Sequence, residues 1–150
     1  MNPLNNQIAL VTGASRGIGR AIARTLAERG AIVVGTATSE AGAADIAKDL
    51  QAINPKNIGM VLNVADTEQT DALLTQIEKE LGAITILVNN AGITRDNLAM
   101  RMKDDDFDAV IATNLRGVFR LSRGVMRGMM KARTGRIINV TSVIAQMGNA

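Results

Sequence analysis

The feature of this sequence that most constrains its fold is the alternation of short apolar runs with helical patterns. The apolar runs span residues 8–12, 32–36, 58–63, 84–89 and 136–141. Most are nearly continuous, which is typical of parallel strands that are covered on both faces. Strands that alternate with helices predict an α/β fold. We therefore expect a doubly wound parallel sheet with helices on both faces.

Helical patterns fill the intervals between these runs. Ser39 is expected to cap the second helix, and Asp66 or Thr67 the third. In the third helix, the apolar side is expected to face inward. No linker or repeat interrupts the pattern, so residues 1–150 are expected to form one domain. The expected helices cover residues 17–29, 39–50, 66–81 and 104–131, with Leu73, Leu74, Ile77 and Leu81 inward in the third.

The composition excludes several kinds of chemistry. The chain has neither cysteine nor histidine, which rules out disulfides, thiol catalysis, and histidine-based triads or metal sites. The acidic run at residues 104–106 opens a helix, where carboxylates suit the helix dipole, so no metal site is expected. The first residues lack the basic and apolar parts of a signal peptide. No apolar run reaches membrane-spanning length, and we expect a cytoplasmic protein without a membrane partner.

A glycine-rich segment, TGASRGIG at residues 12–19, joins the first strand to the first helix. Glycines permit a tight turn, a close approach of the backbone to a pyrophosphate, and close packing of helix on strand. The helix that follows offers free N–H groups to phosphates. An ordinary turn is the alternative for the glycines alone. Their position between the first strand and the first helix favours a dinucleotide site.

The end of the second strand indicates which dinucleotide is bound. NAD sites usually carry an acidic residue there, to hold the ribose hydroxyls. Here the sequence is GTATSE, with no carboxylate before Glu40. Hydroxyl groups together with Arg16 can instead receive a 2′-phosphate, so we predict NADP(H). The alternative is that Arg16 is only a solvated loop charge.

Four motifs together resemble the short-chain dehydrogenase/reductase family. They are the glycine segment, the sequence NNAG at residues 89–92, Asn114 in the long helix, and Ser142 after the fifth strand. The stretches GTATSE, NNAGITRDNL, RMKDDDFD and GRIINVTSV are similar to bacterial reductases of 3-oxoacyl thioesters carried on acyl carrier protein. The resemblance implies a Rossmann-type fold. It also implies NADPH-dependent reduction of such thioesters in fatty acid synthesis.

The resemblance also implies roles for individual residues. Ser142 would hydrogen-bond the reacting carbonyl oxygen, and Asn114 would hold a water in a proton relay. Asn63 and Val64 would flank the adenine. Residues 90–92 would run past the cofactor and stabilise strand four. The complete set of predicted cofactor residues is Gly13, Ser15, Arg16, Gly17, Ile18, Gly19, Thr38, Asn63, Val64, Asn90, Ala91 and Gly92.

One departure from the family pattern concerns the general acid. The family uses a Tyr-x-x-x-Lys pair beyond the serine, but this chain contains no tyrosine. Loss of a general acid costs roughly 10²–10⁴-fold in rate. The family spacing puts the pair after Ala150, so we expect a truncated portion. This portion would have five strands and lack the C-terminal strands of the family, so that strand five lies at an exposed edge of the sheet. It is expected to be inactive alone. The alternatives are an NADP(H)-binding module without catalysis, a reductase of another ketone or alcohol, and a Rossmann-like methyltransferase.

The long helix predicted at residues 104–131 has faces of different character. One side is apolar and includes Asn114, whose amide is expected either to cap a loop carbonyl or also to position water. The apolar side comprises Phe107, Val110, Ile111, Leu115, Val118, Leu121, Val125 and Met129. The opposite side carries Arg116, Arg120, Arg123, Arg127 and Lys131.

The basic side has two interpretations. A solvated face is one, and a docking surface for acyl carrier protein, with Lys131 and Arg133 as contacts, is the other. Nucleic acid is not expected, because almost no aromatic residue is available to stack on bases.

A third face of the same helix carries an apolar strip, Phe119, Met126 and Met130. A fourth carries Gly117, Gly124 and Gly128, which predict close approach of another backbone because glycine weakens a helix by about 1 kcal/mol. An apolar strip outside the core side indicates a subunit contact, and the resemblance implies a homotetramer formed partly through this helix. A broad helix buried within one subunit is the alternative.

Overall fold

The computed structural model describes residues 3–148, except for the side chain of residue 145. The predicted domain, residues 1–150, extends two residues beyond this part at each end. The elements, in chain order, are β1 (Ile8–Val11), α1 (Gly17–Glu28), β2 (Ile32–Ala37), α2 (Glu40–Gln51), β3 (Ile58–Val61), α3 (Thr67–Glu80), β4 (Ile86–Asn89), a 3₁₀ turn (Ala99–Arg101), α4 (Asp104–Ile111), a π-helical segment (Ala112–Gly117), α5 (Val118–Ala132), β5 (Arg136–Asn139) and α6 (Ile144–Met147).

The five strands form one parallel sheet in the order β3-β2-β1-β4-β5. Leu10 of β1 is in register with Val34 of β2 on one side and Leu87 of β4 on the other. The chain therefore winds outward from β1 in both directions, which confirms the predicted Rossmann-type, doubly wound sheet. Open sheets of this kind bind ligands beyond the carboxyl ends of the strands, where the winding reverses.

Each face of the sheet has its own hydrophobic core. Successive side chains of a strand point to opposite faces, so Leu10 packs with residues of α3 and α5, whereas Ala9 packs with residues of α1 and α2. Small residues of α1, Ala23 and Ala27, are buried against the sheet and let this helix lie close to it. Helices cover both faces, as predicted.

Two helix caps agree with the sequence analysis. The Ser39 hydroxyl accepts a hydrogen bond from the Gly42 N–H at 3.2 Å. Of the two candidates for α3, Asp66 is the cap, and its carboxylate accepts from the Gln69 N–H at 3.0 Å. These contacts fix where α2 and α3 leave the edge of the sheet that carries the site.

The apolar run at residues 136–141 does form a strand, β5, but the expectation that this strand is covered on both faces is wrong. Ile137 and Ile138 are 37% and 47% exposed. β5 pairs with β4 on one side, and no strand of residues 3–148 lies on its other side. The expected exposed edge at strand five is thus confirmed.

The long helix is not a single regular α-helix. Six residues, Ala112–Gly117, form a π-helical segment between α4 and α5. Because π turns take more residues than α turns, a count of 100° per residue does not carry across them. Phe107 and Leu115, predicted on the core side, are 55% and 62% exposed. Asn114 is also exposed rather than enclosed in an apolar stripe.

The second half of this helix matches its predicted faces more closely. Leu121, Val125 and Met129 are buried. A Cβ on Gly117 would lie 2.8 Å from the Val64 carbonyl oxygen, so the expected close approach of a backbone holds there. At Gly124 the neighbour is the Leu74 side chain of α3 instead, and at Gly128 a Cβ would lie 3.0 Å from Glu78 Oε1 and 3.9 Å from the backbone Cα of Ala83. Within residues 3–148, the helices fall short of the length and hydrophobicity that a membrane-spanning segment needs.

Candidate functional site

A cleft of about 590 Å³ lies where β1, β2 and β4 end. Its volume falls within the roughly 300–1,000 Å³ of small-molecule sites. All twelve residues predicted to bind a cofactor line this one cleft, together with Ala37, Leu62, Ile93 and Thr113. The structure therefore brings together residues from four separate stretches of the chain.

The glycine segment needs its glycines for two different reasons. Gly13 and Gly17 have φ angles of +65° and +55°, a backbone conformation that favours glycine. Gly19 has ordinary helical geometry, but a Cβ there would collide with the Gly13 carbonyl oxygen and the Asn90 side chain. The turn after β1 thus depends on backbone freedom at two positions and on empty space at a third.

The N-terminus of α1 opens into the cleft. Arg16 stands at the N-cap position, and its side chain makes no capping hydrogen bond with the described residues. The first N–H groups of a helix lack partners within the helix. Here they face a cleft lined by Gly17, Ile18 and Gly19. Such N–H groups bind phosphate, which suits this end of the cleft to a pyrophosphate. The exposed side chain of Ile18, 64% accessible, forms part of the same wall.

Thr12 and Asn90 join the glycine segment to the end of β4. The Asn90 side-chain amide donates to the carbonyl oxygens of Thr12 and Gly13, both at 3.0 Å. In return, the Thr12 hydroxyl accepts from the backbone N–H groups of Asn90 at 3.1 Å and Ala91 at 3.0 Å. The Thr12 hydroxyl also donates to the Val88 carbonyl at 3.4 Å. Thr12 was not among the predicted site residues, although a hydroxyl that ends an apolar strand was a visible signal.

The far end of the cleft is formed by β2 and β3. Thr38 and Arg16 line it where a 2′-phosphate is predicted, and Glu40 is already the first residue of α2. Asn63 and Val64 follow β3. The Asn63 side chain accepts from the Ala65 N–H at 3.1 Å. The Asn63 N–H donates to Gln69 Oε1 at 2.8 Å, and Gln69 is a second supporting residue that sequence reasoning missed.

A second cavity of about 470 Å³ adjoins the cleft and shares the residues 90–93 with it. Asn114 and Ser142, the two predicted catalytic residues, both line this cavity. The Ser142 hydroxyl accepts from the Ile144 N–H at 3.3 Å, which leaves its proton free to be donated to another group. The two predicted catalytic side chains therefore line one cavity, and residues 90–93 form a wall that this cavity shares with the cleft.

The Asn114 side chain hydrogen-bonds to the backbone of the loop after β4. Its side-chain oxygen accepts from the Ile93 N–H at 2.9 Å, and its amide donates to the Ile93 carbonyl at 2.8 Å. Gly92 leaves room for this contact, since a Cβ there would be 3.3 Å from the Asn114 oxygen. The amide retains one N–H and one lone pair for a further partner, such as a water.

Two asparagines that were not predicted as site residues link β4 and β5 at the same edge. The Asn89 amide donates to Asn139 Oδ1 at 2.8 Å and to the Ser122 hydroxyl at 3.2 Å. The Asn89 oxygen is buried and has no partner among the described residues. Asn89 and Asn139 also line the second cavity, so this contact helps to hold the end of β5, and the serine beyond it, beside β4.

Other predicted functional residues lie away from the cleft. Lys131 and Arg133 are exposed at the end of α5. Val118, which begins α5, lines the second cavity, and Lys131 is thirteen residues farther along, about 20 Å at 1.5 Å per residue. The acidic residues 104–106 occupy the first turn of α4, and Asp106 pairs with Arg95 at 3.5 Å. Residues 3–148 contain no group of three or more acidic side chains placed to hold a metal ion.

Known proteins resemble this chain over nearly its whole length. The 3-oxoacyl-acyl-carrier-protein reductase of Vibrio harveyi is 62% identical over 147 residues, which are 98% of this chain and 59% of the relative. The enzyme of the same name from Escherichia coli is 62% identical over 143 residues, 95% of this chain and 57% of the relative. That of Pseudomonas aeruginosa is 56% identical over 147 residues, 98% and 60% of the two chains.

The chain thus spans about three fifths of the length of these relatives. A sequence model of the short-chain dehydrogenases matches residues 7–150. This match covers every element from β1 to α6. The chain belongs to the short-chain dehydrogenase family.

Proposed function

We propose that this chain binds NADP(H) and contributes the cofactor site and the serine of an NADPH-dependent reductase of 3-oxoacyl thioesters on acyl carrier protein. Such a reduction belongs to fatty acid synthesis. The observation that carries the proposal is the coincidence of all twelve predicted cofactor residues in one cleft. Relatives at 55–62% identity that are named as such reductases support the choice of substrate.

The residues of the cleft fit this cofactor. The N–H groups of the first turn of α1 can hold the pyrophosphate, next to glycines that let it approach. Arg16 and Thr38 can hold the 2′-phosphate, while Asn63 and Val64 flank the adenine. Asn90 keeps the glycine segment in shape through its two carbonyl contacts. When bound, NADPH supplies the hydride that the reduction needs.

In the second cavity, Ser142 donates a hydrogen bond to the keto oxygen and so orients it beside the nicotinamide end of the cleft. Asn114 holds the backbone of Ile93 through its side-chain oxygen and its side-chain nitrogen. It keeps one N–H and one lone pair for a water. The developing alkoxide also needs a proton. The family resemblance implies a tyrosine as its donor, and residues 1–150 contain none. We therefore propose that turnover requires an acid that these residues do not supply.

A second candidate is an NADP(H)-binding module without catalysis, which the same cleft would serve. A reductase of another ketone or alcohol would use the same cleft and the same serine. The relatives do not favour the third possibility, a methyltransferase, since those at 55–62% identity carry the name of a reductase.

The proposal extends to partners and location. Acyl carrier protein, which is acidic, would dock on the basic side of α5, with Lys131 and Arg133 as contacts. A homotetramer would form partly through the helix of residues 104–131, and the exposed strip of Phe119, Met126 and Met130, 59%, 50% and 73% accessible, supports such a contact. The protein would work in the cytoplasm.

Cofactor binding is tested directly by titration with NADPH. Fluorescence of the reduced nicotinamide, excited where protein side chains do not absorb, reports the binding. Saturable binding of NADPH is expected. Turnover is then assayed with a 3-oxoacyl-acyl-carrier-protein, using the 150-residue chain and any longer product of its reading frame.

Activity confined to a longer product supports the reductase. NADPH binding without activity in either protein supports the binding module instead. Failure to bind NADPH, together with binding of S-adenosylmethionine, would reject both.

A further inference from the structure

We propose that Asp49 holds the Arg20 guanidinium away from the cofactor cleft and thereby limits the affinity of the chain for the 2′-phosphate of NADPH. In this view Arg20 is a second phosphate-binding cation, restrained by an ion pair, beside Arg16. The inference rests on the proposed binding of NADP(H) in the cleft.

The restraint is a carboxylate shared by two arginines of α1. Asp49 Oδ2 accepts from Arg20 Nε at 3.0 Å, and Asp49 Oδ1 pairs with Arg24 Nη1. The Asp49 side chain is only 15% exposed, whereas that of Arg20 is 54% exposed. The hydrogen bond and the charge of Asp49 raise the pKa of Arg20. The hydrogen bond from Arg20 in turn lowers the pKa of Asp49.

The direction of the contact follows from where the two residues stand along their helices. α1 and α2 each follow a parallel strand, so both begin at the edge of the sheet that carries the cleft. Arg20 is three residues from the start of α1, about 4.5 Å along its axis, whereas Asp49 is nine residues from the start of α2, about 13 Å along. Arg20 therefore starts near the cleft and reaches away from it to meet Asp49.

Without this contact, Arg20 would adopt the opposite direction. Side chains on a helix lean toward its N-terminus, which for α1 is the cleft. Arg16 stands at the N-cap of α1, and Arg20 follows in the first turn of the helix. Arg16 lines the cleft. Release of Arg20 would therefore bring a second guanidinium next to the first.

A groove connects the two positions. A cavity of about 460 Å³ between α1 and α2 is lined by Ser15, Arg20, Lys48 and Asp49, among others. Ser15 also lines the cofactor cleft, so the groove and the cleft meet at this residue. An arginine released from Asp49 has an open path along the groove toward the place predicted for the 2′-phosphate.

Replacement of the carboxylate tests the restraint. Asp49→Asn keeps the shape of the side chain and removes the charge that holds Arg20. An added charge-assisted hydrogen bond to phosphate is expected to tighten NADPH binding about three- to tenfold. NADH lacks the 2′-phosphate, so its dissociation constant is expected to stay the same. The gain should shrink as salt rises, because exposed charges are screened.

Asp45→Asn is the matched control. Asp45 lies one turn earlier in α2, lines the same groove, and forms no ion pair within 4.0 Å among the described residues. It changes the net charge equally and leaves the contacts of Asp49 in place, while the more distant charge of Asp45 also raises the pKa of Arg20. Two double variants identify the cation. Arg20→Gln with Asp49→Asn should lose the gain, whereas Arg24→Gln with Asp49→Asn should keep it.

The outcomes distinguish a failure of this inference from a failure of the proposed NADP(H) binding. If the wild-type chain binds NADPH but Asp49→Asn and Asp45→Asn behave alike, the inference is overturned and the cofactor site stands. Equal changes for NADPH and NADH would mean that Asp49 only ties α1 to α2, which also overturns it. A wild-type chain that binds no NADPH removes both. Thermal melts of each variant establish that the folded protein is being compared.

Discussion

The side-chain amide of Asn90 lies 3.0 Å from the carbonyl oxygen of Gly13 and donates a hydrogen bond to it. A second bond at the same distance runs to the carbonyl of Thr12. The turn that is proposed to hold the pyrophosphate is thus shaped by a residue from the end of β4, 77 positions away in the chain. The contact ties the local geometry of the glycine segment to the pairing of β1 with β4.

Replacing Asn90 should therefore loosen the proposed phosphate site. Asn90→Ala leaves two carbonyls without their partner, and such a loss costs about 1–3 kcal/mol. We expect the dissociation constant for NADPH to rise by about tenfold or more. Fluorescence titration and thermal melting measure the two effects. Asn97→Ala is the control, because within residues 3–148 the Asn97 side chain bonds only in its own loop, to Leu98 and Arg101. Equal affinity in the two variants would contradict this role of Asn90.

Two glycines of the same turn should respond differently to alanine. In Gly19→Ala the new methyl group would overlap the Gly13 carbonyl oxygen and the Asn90 amide. We expect loss of detectable NADPH binding and a lower melting temperature. In Gly17→Ala no atom of the described residues lies within 4 Å of the new carbon, although φ is +55°, so only conformational strain of about 1 kcal/mol is expected. Thermal melts and NADPH titrations of both variants test whether Gly19→Ala is the more damaging change. A smaller loss of stability and binding in Gly19→Ala than in Gly17→Ala would refute this prediction.

Arg16 should discriminate between the two nicotinamide cofactors. Its side chain lines the cleft beside Thr38, and a guanidinium there favours a ligand that carries a 2′-phosphate. Arg16→Ala is expected to weaken the binding of NADPH by at least about tenfold and the binding of NADH by much less. Arg29→Ala, at the far end of α1, is a control of equal charge. Equal losses for the two cofactors would remove the case for NADP(H) specificity.

Local signals made the sheet and the glycine segment predictable. Continuous apolar runs marked the strands, and Ser39 and Asp66 marked where helices begin. The features that were missed depend on contacts distant in sequence. The contacts of Thr12 join it to backbone N–H groups 78 and 79 residues away, so its supporting role depends on the tertiary fold. The exposure of Leu115 followed from the π-helical segment, which no count at a fixed angle anticipates. The roles of the cofactor residues stay predictions until a ligand is bound.

Asn114 should control the loop that follows β4. Its amide makes both a donor and an acceptor contact with the backbone of Ile93. Asn114→Ala removes both, so the Ile93 N–H is expected to exchange with solvent about fivefold faster or more, in line with the loss of a hydrogen bond of about 1 kcal/mol or more. Hydrogen exchange measured by NMR tests this. Thr113→Ala, one residue earlier, is the control, and similar protection at Ile93 in both variants would contradict the assignment.

The ion pairs of Asp49 predict a pH dependence of stability with a definite sign. The hydrogen bond from Arg20 lowers the pKa of Asp49 below its ordinary value of 3.8. A carboxylate with a depressed pKa in the folded state binds its proton more readily in the unfolded chain, so unfolding takes up protons as the pH falls. The stabilisation is therefore fully present above the unfolded pKa and is lost as the pH falls through the folded pKa.

Asp49→Asn should remove this contribution at neutral pH. We expect the wild-type chain to be the more stable of the two at pH 7, and the difference in free energy of unfolding to shrink progressively below about pH 4. Urea unfolding followed by circular dichroism at several pH values measures it. Asp45→Asn serves again as the control, since it breaks no ion pair of the described residues. A difference that grows toward low pH would mean that Asp49 is destabilised in the folded chain, because its proton would then be held more tightly there than in the unfolded state.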